Sequence, residues 1–381
     1  MVKASHGFQV FVKPTGSICN LGCQYCYYLD KDQLYPEDCS FKMPESILEN
    51  YIIQHMEACP DDTIIFSWHG GEPTILGIDY FRRIVELQNK HKPPGKTILN
   101  GIQTNGTLLN DEWCEFFAKE SFAVGISMDG PRELHNRFRV TKDNLPTFEQ
   151  AIRGYHLLRK HKVYTDVLCV VNAENVQQPL EVYRFFKEIN AQYITYLPCV
   201  DPQPDSVSGV SDLSVPSEEW GRFLCTVFDE WVREDIGQVK IQIFEEALRT
   251  AFDQEHSLCI FRLICGDIIV LEHNGDFYTC DHYVDPEHLI GNLKQTPLVE
   301  LLESPERRAF GDNKQKSLPR YCRECSVLEM CNGECPKNRF IDTPKGEHGL
   351  NYLCEGYKMF FTHIQPFISA VASQWKKYVK D

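Results

Sequence analysis

The sequence predicts an α/β protein built on a parallel sheet, followed by a cysteine-rich segment of different character. Two observations carry this reading. From residue 8 to about residue 200, short β-rich runs alternate with amphipathic helical stretches, and after about residue 236 that rhythm stops and cysteines punctuate the chain. The candidate strands are Phe8–Val12, Thr63–Trp68, Thr97–Gln103, Ala123–Met128, Thr165–Val171 and Tyr193–Leu197, each rich in Ile, Val, Phe or Tyr. Between them lie helical patterns: one opening at Met43-Pro44-Glu45-Ser46, one over Tyr80–His91, and two opened by Pro146 and Pro179. Six strand–helix repeats with right-handed crossovers give an open or barrel-like (β/α)6 arrangement or a doubly wound sheet. In either case the functional site lies at the C-terminal ends of the strands.

Residues 201–216 are rich in Pro, Ser and Asp and read as a surface loop, a plausible hinge, before a helix over Ser217–Arg233. A helical stretch at Ile243–Phe252 then leads to a hairpin of Ile268–Leu271 and Phe277–Thr279, with Asn274-Gly275 as a type I′ turn signal. From there to residue 354 the chain reads as loop that needs metal to hold it together. The expected division is a first domain over 1–235 and a second over 236–381, ending in a helix.

Composition narrows the function classes. With 381 residues, 43% of them hydrophobic, disorder is excluded as the dominant state. The 39 Lys and Arg against 54 Asp and Glu give a net charge of −15, and no basic run stands out, which argues against nucleic-acid binding. The N-terminal segment lacks a signal-peptide apolar core and no run of about 18 apolar residues occurs, so no membrane role and a cytoplasmic location are expected. In that reducing setting, 17 cysteines, an odd count in a long chain, point to metal ligation or catalysis rather than disulfides.

Cys19, Cys23 and Cys26 follow the first strand in the run SICNLGCQYCYYL. Three thiolates on one loop can ligate three irons of a four-iron, four-sulfur cluster and leave the fourth open to the amino and carboxylate groups of a methionine derivative. The competing reading is a zinc knuckle one ligand short. His69-Gly70-Gly71-Glu72-Pro73 follows the second strand, where glycines permit close approach to the backbone, and Gln103-Thr104-Asn105-Gly106-Thr107 and Ser127-Met128-Asp129-Gly130-Pro131 follow the third and fourth. A second array holds Cys259, Cys265, Cys280, Cys322, Cys325, Cys331, Cys335 and Cys354, the count for two fully ligated clusters or two structural zincs; spacing alone also allows Cys322, Cys325, Cys331 and Cys335 as a zinc ribbon. Among the other six, Cys114, Cys169 and Cys225 read as small core residues.

The triplet paired with the Gly-Gly-Glu-Pro turn resembles the radical S-adenosylmethionine superfamily, and the second array resembles its SPASM extension. Read with Lys13-Pro14-Thr15, the Gln-Thr-Asn-Gly-Thr and Ser-Met-Asp-Gly-Pro turns and Cys331-Asn332-Gly333-Glu334-Cys335-Pro336, the chain from about residue 8 to residue 365 is similar to the anaerobic sulfatase-maturating enzymes. The resemblance implies a partial (β/α)6 TIM-like barrel with a C-terminal SPASM domain, S-adenosyl-L-methionine and three 4Fe-4S clusters as cofactors, and oxidation of a Cys or Ser of a sulfatase to Cα-formylglycine without dioxygen. It implies an unfolded or nascent sulfatase polypeptide as substrate and a flavodoxin or ferredoxin as electron donor.

By the same resemblance, Cys259, Cys265, Cys280 and Cys335 hold one auxiliary cluster, and Cys322, Cys325, Cys331 and Cys354 the other. Tyr25, Gly71, Ser127, Arg139 and Val200 match positions that contact S-adenosylmethionine, and Asp281 matches the proposed base. A carboxylate beside a cluster in a partly dry site is expected to have a raised pKa. Tyr28 is placed near the same pocket. His69 departs from the pattern, since some members carry Gln there. Two alternatives stand: a radical SPASM maturase of a ribosomal peptide, forming thioether or carbon–carbon crosslinks, and a zinc-stabilised interaction protein.

Overall fold

A computed structural model describes residues 3–266 and 268–378. The chain packs as two compact units that interleave along the sequence. The first comprises Met1–Ser127, Asn136–Asp166 and Gly266–Gly311, and the second Met128–His135, Val167–Cys265 and Asp312–Asp381.

In the first unit, β1 (Gln9–Lys13), β2 (Thr63–Trp68), β3 (Thr97–Thr104) and β4 (Ala123–Ser127) lie side by side and parallel, in chain order. Helices Glu45–Ala58, Ile78–His91 and Asp111–Lys119 provide the crossovers. Their starts follow local chemistry: Pro44 sits at the N-cap of the first, and the Asn110 side chain accepts from the Trp113 N–H at 3.0 Å to cap the third. The inward positions of the strands bury Val10, Val12, Ile64, Phe66, Trp68, Ile102, Val124 and Ile126 completely or nearly so. At Trp68 the core admits polarity only with partners, because the indole donates to Asn100 Oδ1 at 2.9 Å and Gln88 donates to the same oxygen.

The other edge of β1 carries a pairing with no local signal in the sequence. Gln9–Lys13 runs parallel to β8 (Ile268–Glu272), in register from Gln9 with Ile268 to Lys13 with Glu272. Strands β9 (Asp276–Tyr278) and β10 (Leu289–Asn292) extend that edge antiparallel. The β8–β9 hairpin forms where expected, but its turn is not type I′. Gly275 has φ +97° and its N–H closes on Glu272 O at 3.0 Å, while Asn274 is absent from the positive-φ residues, so only one of the two left-handed positions that type I′ requires is present.

In the second unit, Val167–Val171 of β5 (Tyr164–Val171), β6 (Tyr193–Pro198) and the two-residue β7 (Lys240–Ile241) are parallel neighbours. Helix Pro179–Glu188 begins on its proline, and helices Ser217–Glu234 and Gln242–Ala251 follow β6 and β7. The segment expected to be loop from the hairpin to residue 354 contains helices Leu298–Leu302, Pro305–Lys316, Arg320–Arg323 and Leu328–Cys331. Most are too short to show a helical repeat in the sequence. The final helix, Cys354–Tyr378, packs along Ser217–Glu234. A Cβ on Gly356 would lie 2.1 Å from Ser217 O, so a glycine is required where the two backbones meet. Above that contact, Phe228 meets Phe360 and Phe367 edge-on.

Candidate active site

The loop after β1 carries the cysteine triplet and is held by backbone bonds. Gly22 N–H donates to Val140 O at 2.9 Å and Gln24 N–H to Phe138 O at 3.0 Å. Burial pushes the Cys19 thiol up to about 12; the Leu21 N–H, 3.3 Å from its sulfur, acts the other way, and Glu72, Cys23 and Cys26 add to the rise. Three thiols within one another's fields resist joint ionisation unless a positive iron core shares their charge, which is the donor set a cluster requires.

The Gly-Gly-Glu-Pro turn closes on the same loop. Gly71 N–H donates to Gly16 O at 2.8 Å and Glu72 N–H to Ile18 O at 2.9 Å. A Cβ on Gly71 would sit 2.1 Å from Ile18 O, so the close approach that needs glycine here is made by the chain's own backbone. Fully buried Glu72 accepts from Thr74 N–H at 3.0 Å, Thr104 Oγ1 at 2.8 Å and Asn105 N–H at 2.7 Å, tying this turn to the end of β3. Burial nevertheless raises its pKa.

Arg139 is 7% exposed, not a surface residue, and its Nη1 donates to the Tyr25 hydroxyl at 2.7 Å. Two of the residues matched to S-adenosylmethionine contacts are thus brought together. Ser127, at the end of β4, accepts from Gln103 Nε2 at 3.0 Å. Val200 belongs to the second unit, buried, with its carbonyl accepting from Lys337 Nζ at 2.9 Å.

Asp281 differs from expectation in its electrostatics. One carboxylate oxygen is paired with the Lys13 ammonium, and the other accepts from the Tyr27 hydroxyl. Burial raises the carboxyl, but Lys13 and His282 and the two hydrogen bonds outweigh it and hold the group well below the usual carboxylate range, the reverse of the expected rise. Lys13 itself is 2% exposed and lies 3.4 Å from the centre of the Tyr28 ring, whose hydroxyl donates to Glu272.

Tyr27 ties the pocket together. Half of the Tyr27 side chain is exposed, yet desolvation of its hydroxyl, then Asp281, raises its phenol above the ordinary value, and the Cys26 and Cys280 thiols act in the same sense. Within the first unit, Asp281 thus accepts this hydroxyl while the charges of Cys26 and Cys280 act on it. His69 shares this neighbourhood. It stacks on Phe11 with ring centres 3.9 Å apart, and burial lowers its imidazole to about 4, against the pull of Asp281 and with the help of Lys13. Sequence reasoning used Lys13 only as part of a motif and passed over Tyr27 and Glu272. The available signal was a lysine closing a predicted strand directly before the cysteine loop, which must be paired if it is buried.

In the second unit a cavity is lined by Cys322, Cys325, Cys331 and Cys354, with Tyr321 and Tyr357 among its walls. Burial, then Cys322, pushes the Cys354 thiol up to about 12, and burial, then Cys354, raises Cys331. Cys335 does not line this cavity. With Cys265 and Cys259 it acts on the ammonium of Lys314, which burial lowers and these thiols raise, and which donates to Cys259 O at 2.7 Å and Ile260 O at 2.8 Å. Four cysteines thus line one cavity, while the charges of three others act on Lys314. Cys280 lies in the first unit, where its carbonyl accepts from Tyr283 N–H at 3.1 Å.

Comparison with known proteins adds the family. Residues 14–186 match the radical SAM superfamily and residues 263–326 match an iron-sulfur cluster-binding domain, SPASM. The chain is 44% identical over 372 residues to a serine-type anaerobic sulfatase-maturating enzyme of Bacteroides thetaiotaomicron, covering 94% of this chain and 90% of that protein. It is 32% identical to a cysteine-type enzyme of Clostridium perfringens, covering 96% and 99%. A solved structure described as native anSMEcpe with bound AdoMet and Cp18Cys peptide superposes with a TM-score of 0.87 at 31% identity, over 97% of this chain and 99% of that one. A thiol triplet, an Arg139–Tyr25 pair and a four-cysteine cavity, carried on a chain alike to these proteins along nearly all its length, make it a member of the anaerobic sulfatase-maturating enzyme family, radical S-adenosylmethionine enzymes with a SPASM domain.

Proposed function

We propose that the chain oxidises Cβ of one serine or cysteine in a sulfatase polypeptide to Cα-formylglycine, with S-adenosylmethionine and iron–sulfur clusters as cofactors. The observation that carries this is Tyr27, whose hydroxyl faces Asp281 under the influence of both Cys26 and Cys280. When bound, the cofactors supply a radical that removes hydrogen from Cβ and a sink for the second electron.

The protein's own residues do the rest. Loss of the Cβ hydrogen acidifies the adjacent hydroxyl or thiol, and Asp281, kept ionised by Lys13, takes that proton; loss of the second electron then leaves the aldehyde from serine, or from cysteine a thioaldehyde that water hydrolyses with release of sulfide. A carboxylate held this low is a weak base, so it suits a group that has already become acidic. Tyr27 and Lys13 fix its two oxygens. Neutral His69 lines the same pocket without adding charge. Arg139, steadied by Tyr25, offers its guanidinium to the methionine carboxylate, and Ser127 offers a hydroxyl. Cys19, Cys23 and Cys26 would hold the cluster that supplies the electron to S-adenosylmethionine, and the two four-cysteine sets named from the resemblance would hold the auxiliary clusters.

The client is taken up unfolded or nascent, a flavodoxin or ferredoxin supplies electrons, and the work is done in the cytoplasm, where thiolate ligands stay reduced. By sequence we assign a radical S-adenosylmethionine domain to 1–235 and an auxiliary-cluster domain to 236–381, a boundary that the two packing units cross. Serine is the preferred client residue, on the 44% identity to the serine-type enzyme. Among the described residues no helix is long and apolar enough to cross a membrane.

Anoxic incubation with reductant, S-adenosylmethionine and a sulfatase peptide carrying Ser or Cys tests this. Deoxyadenosine should appear together with a formylglycine aldehyde that an aminooxy reagent captures, faster from the serine peptide. Abundant deoxyadenosine with no aldehyde from either peptide would overturn the reading, and crosslinked product would point to peptide maturation instead.

A further inference from the structure

Asn105, 7% exposed at the end of β3, sits in a closed ring of hydrogen bonds that fixes which way its amide points. Its Oδ1 accepts from Thr107 N–H at 3.0 Å and from Thr107 Oγ1 at 2.7 Å. That Thr107 oxygen accepts from Asn20 Nδ2 at 2.9 Å, and Asn20 Oδ1 accepts from Asn105 Nδ2 at 2.9 Å. Since a backbone N–H can only donate, the oxygen of Asn105 must face Thr107, and its NH2 must face the triplet loop. One hydrogen goes to Asn20, and the other points at Cys19 Sγ, 3.7 Å away. The ring is anchored on two further sides. Glu72 accepts the Asn105 backbone N–H at 2.7 Å. Helix Phe148–Lys160 presses on the turn, with Arg153 Nη2 donating to Thr107 O at 3.0 Å and Gly154 lacking the Cβ that would lie 2.3 Å from Gly106 O.

We infer that Asn105 is a positioning residue whose amide donates to the Cys19 thiolate and makes the cluster on the triplet easier to reduce. A hydrogen bond to a ligating sulfur stabilises the more negative, reduced cluster more than the oxidised one, and second-shell donors are a principal control on such potentials. Cys19 as a ligand then has two donors, the Leu21 N–H at 3.3 Å and the Asn105 amide. The inference rests on the reading that Cys19 ligates the cluster.

The test is anoxic redox titration of the reconstituted full-length enzyme, followed by the EPR signal of the reduced triplet cluster. Asn105→Asp keeps the acceptor for Thr107 and replaces the donor with a carboxylate oxygen; the midpoint should fall by at least a tenfold change in the reduction equilibrium, about 59 mV for one electron. Asn105→Ala should shift it in the same direction by less. Thr107→Ser, which retains the hydroxyl and backbone donor, should keep the wild-type potential. An Asn105→Asp enzyme with full iron content and an unmoved midpoint overturns the inference. Should neither Asn105 variant load iron, wild-type enzyme with 15N-labelled asparagine decides: a weak nitrogen coupling in the reduced cluster supports the bond and its absence overturns it. Failure of the underlying reading shows separately, as a Cys19→Ala enzyme that keeps the signal and iron content of the wild type.

Discussion

Around Cys19 the neighbours are polar and aimed: the Leu21 N–H, the Asn105 amide and, beyond it, Glu72 and Thr107. Around Cys322, Cys325, Cys331 and Cys354 apolar and aromatic walls from Val327, Leu328 and Tyr357 stand beside Asn351 and Lys358, with a Gly333 N–H on Cys331. The first arrangement suits a centre that must take an electron and hold a charged ligand at an open position. The second suits one that exchanges electrons only and must be closed to solvent. A thiol with two donors aimed at it and four thiols around one shared cavity are thus two kinds of surroundings.

Removing a ligand from each region should separate those jobs. Cys19→Ala should abolish deoxyadenosine formation, with or without peptide, as measured by chromatography of anoxic reactions. Cys354→Ala should leave substantial S-adenosylmethionine cleavage but lose formylglycine, with about four fewer irons per chain. Equal loss of both products in the second variant would erase the distinction.

The polar side can be probed without touching a thiol. Lys13→Met leaves Asp281 without its counter-ion, and the kcat for formylglycine should fall by about 10²-fold or more while cleavage of S-adenosylmethionine falls less, raising the deoxyadenosine-to-aldehyde ratio. Unfolding should also become easier by about 3–5 kcal/mol, read from denaturant titration, because a buried carboxylate has lost its partner.

The smallest effect is expected at His69. Its folded-state pKa of about 4 lies below the unfolded value, so the unfolded chain binds the extra proton. Its contribution is flat above about pH 6.5, and stability is lost as pH falls from there towards 4, by at most about 1.4 kcal/mol per pH unit. His69→Gln should remove that one-proton slope from denaturation curves between pH 6.5 and 5 while changing the rate at neutral pH less than about threefold.

The same contrast separates what the sequence reveals from what it hides. Thr63–Trp68 is a strand over the predicted residues, and the other five strands expected between residues 8 and 200 begin and end within a residue of expectation, because alternation and β-branching are local signals. The triplet was legible for the same reason, as three thiols on one short loop. Asp281 was legible as a position and misread in its chemistry, since the ammonium that lowers its pKa arrives from the far end of the chain on β1. Asn274-Gly275 marked a turn correctly but not its type, because an Asn tolerates the left-handed region without being obliged to enter it. The pairing of β1 with β8 left no local trace at all.

That pairing also imposes a schedule on the chain's synthesis. One edge of β1, and with it Lys13 at the head of the cysteine loop, stays unfilled until residues 268–272 have left the ribosome, and the loop's charge partner Asp281 emerges later still. At ordinary translation rates this is an interval of about 10–60 s. During it the thiols of that loop belong to an unfinished sheet edge.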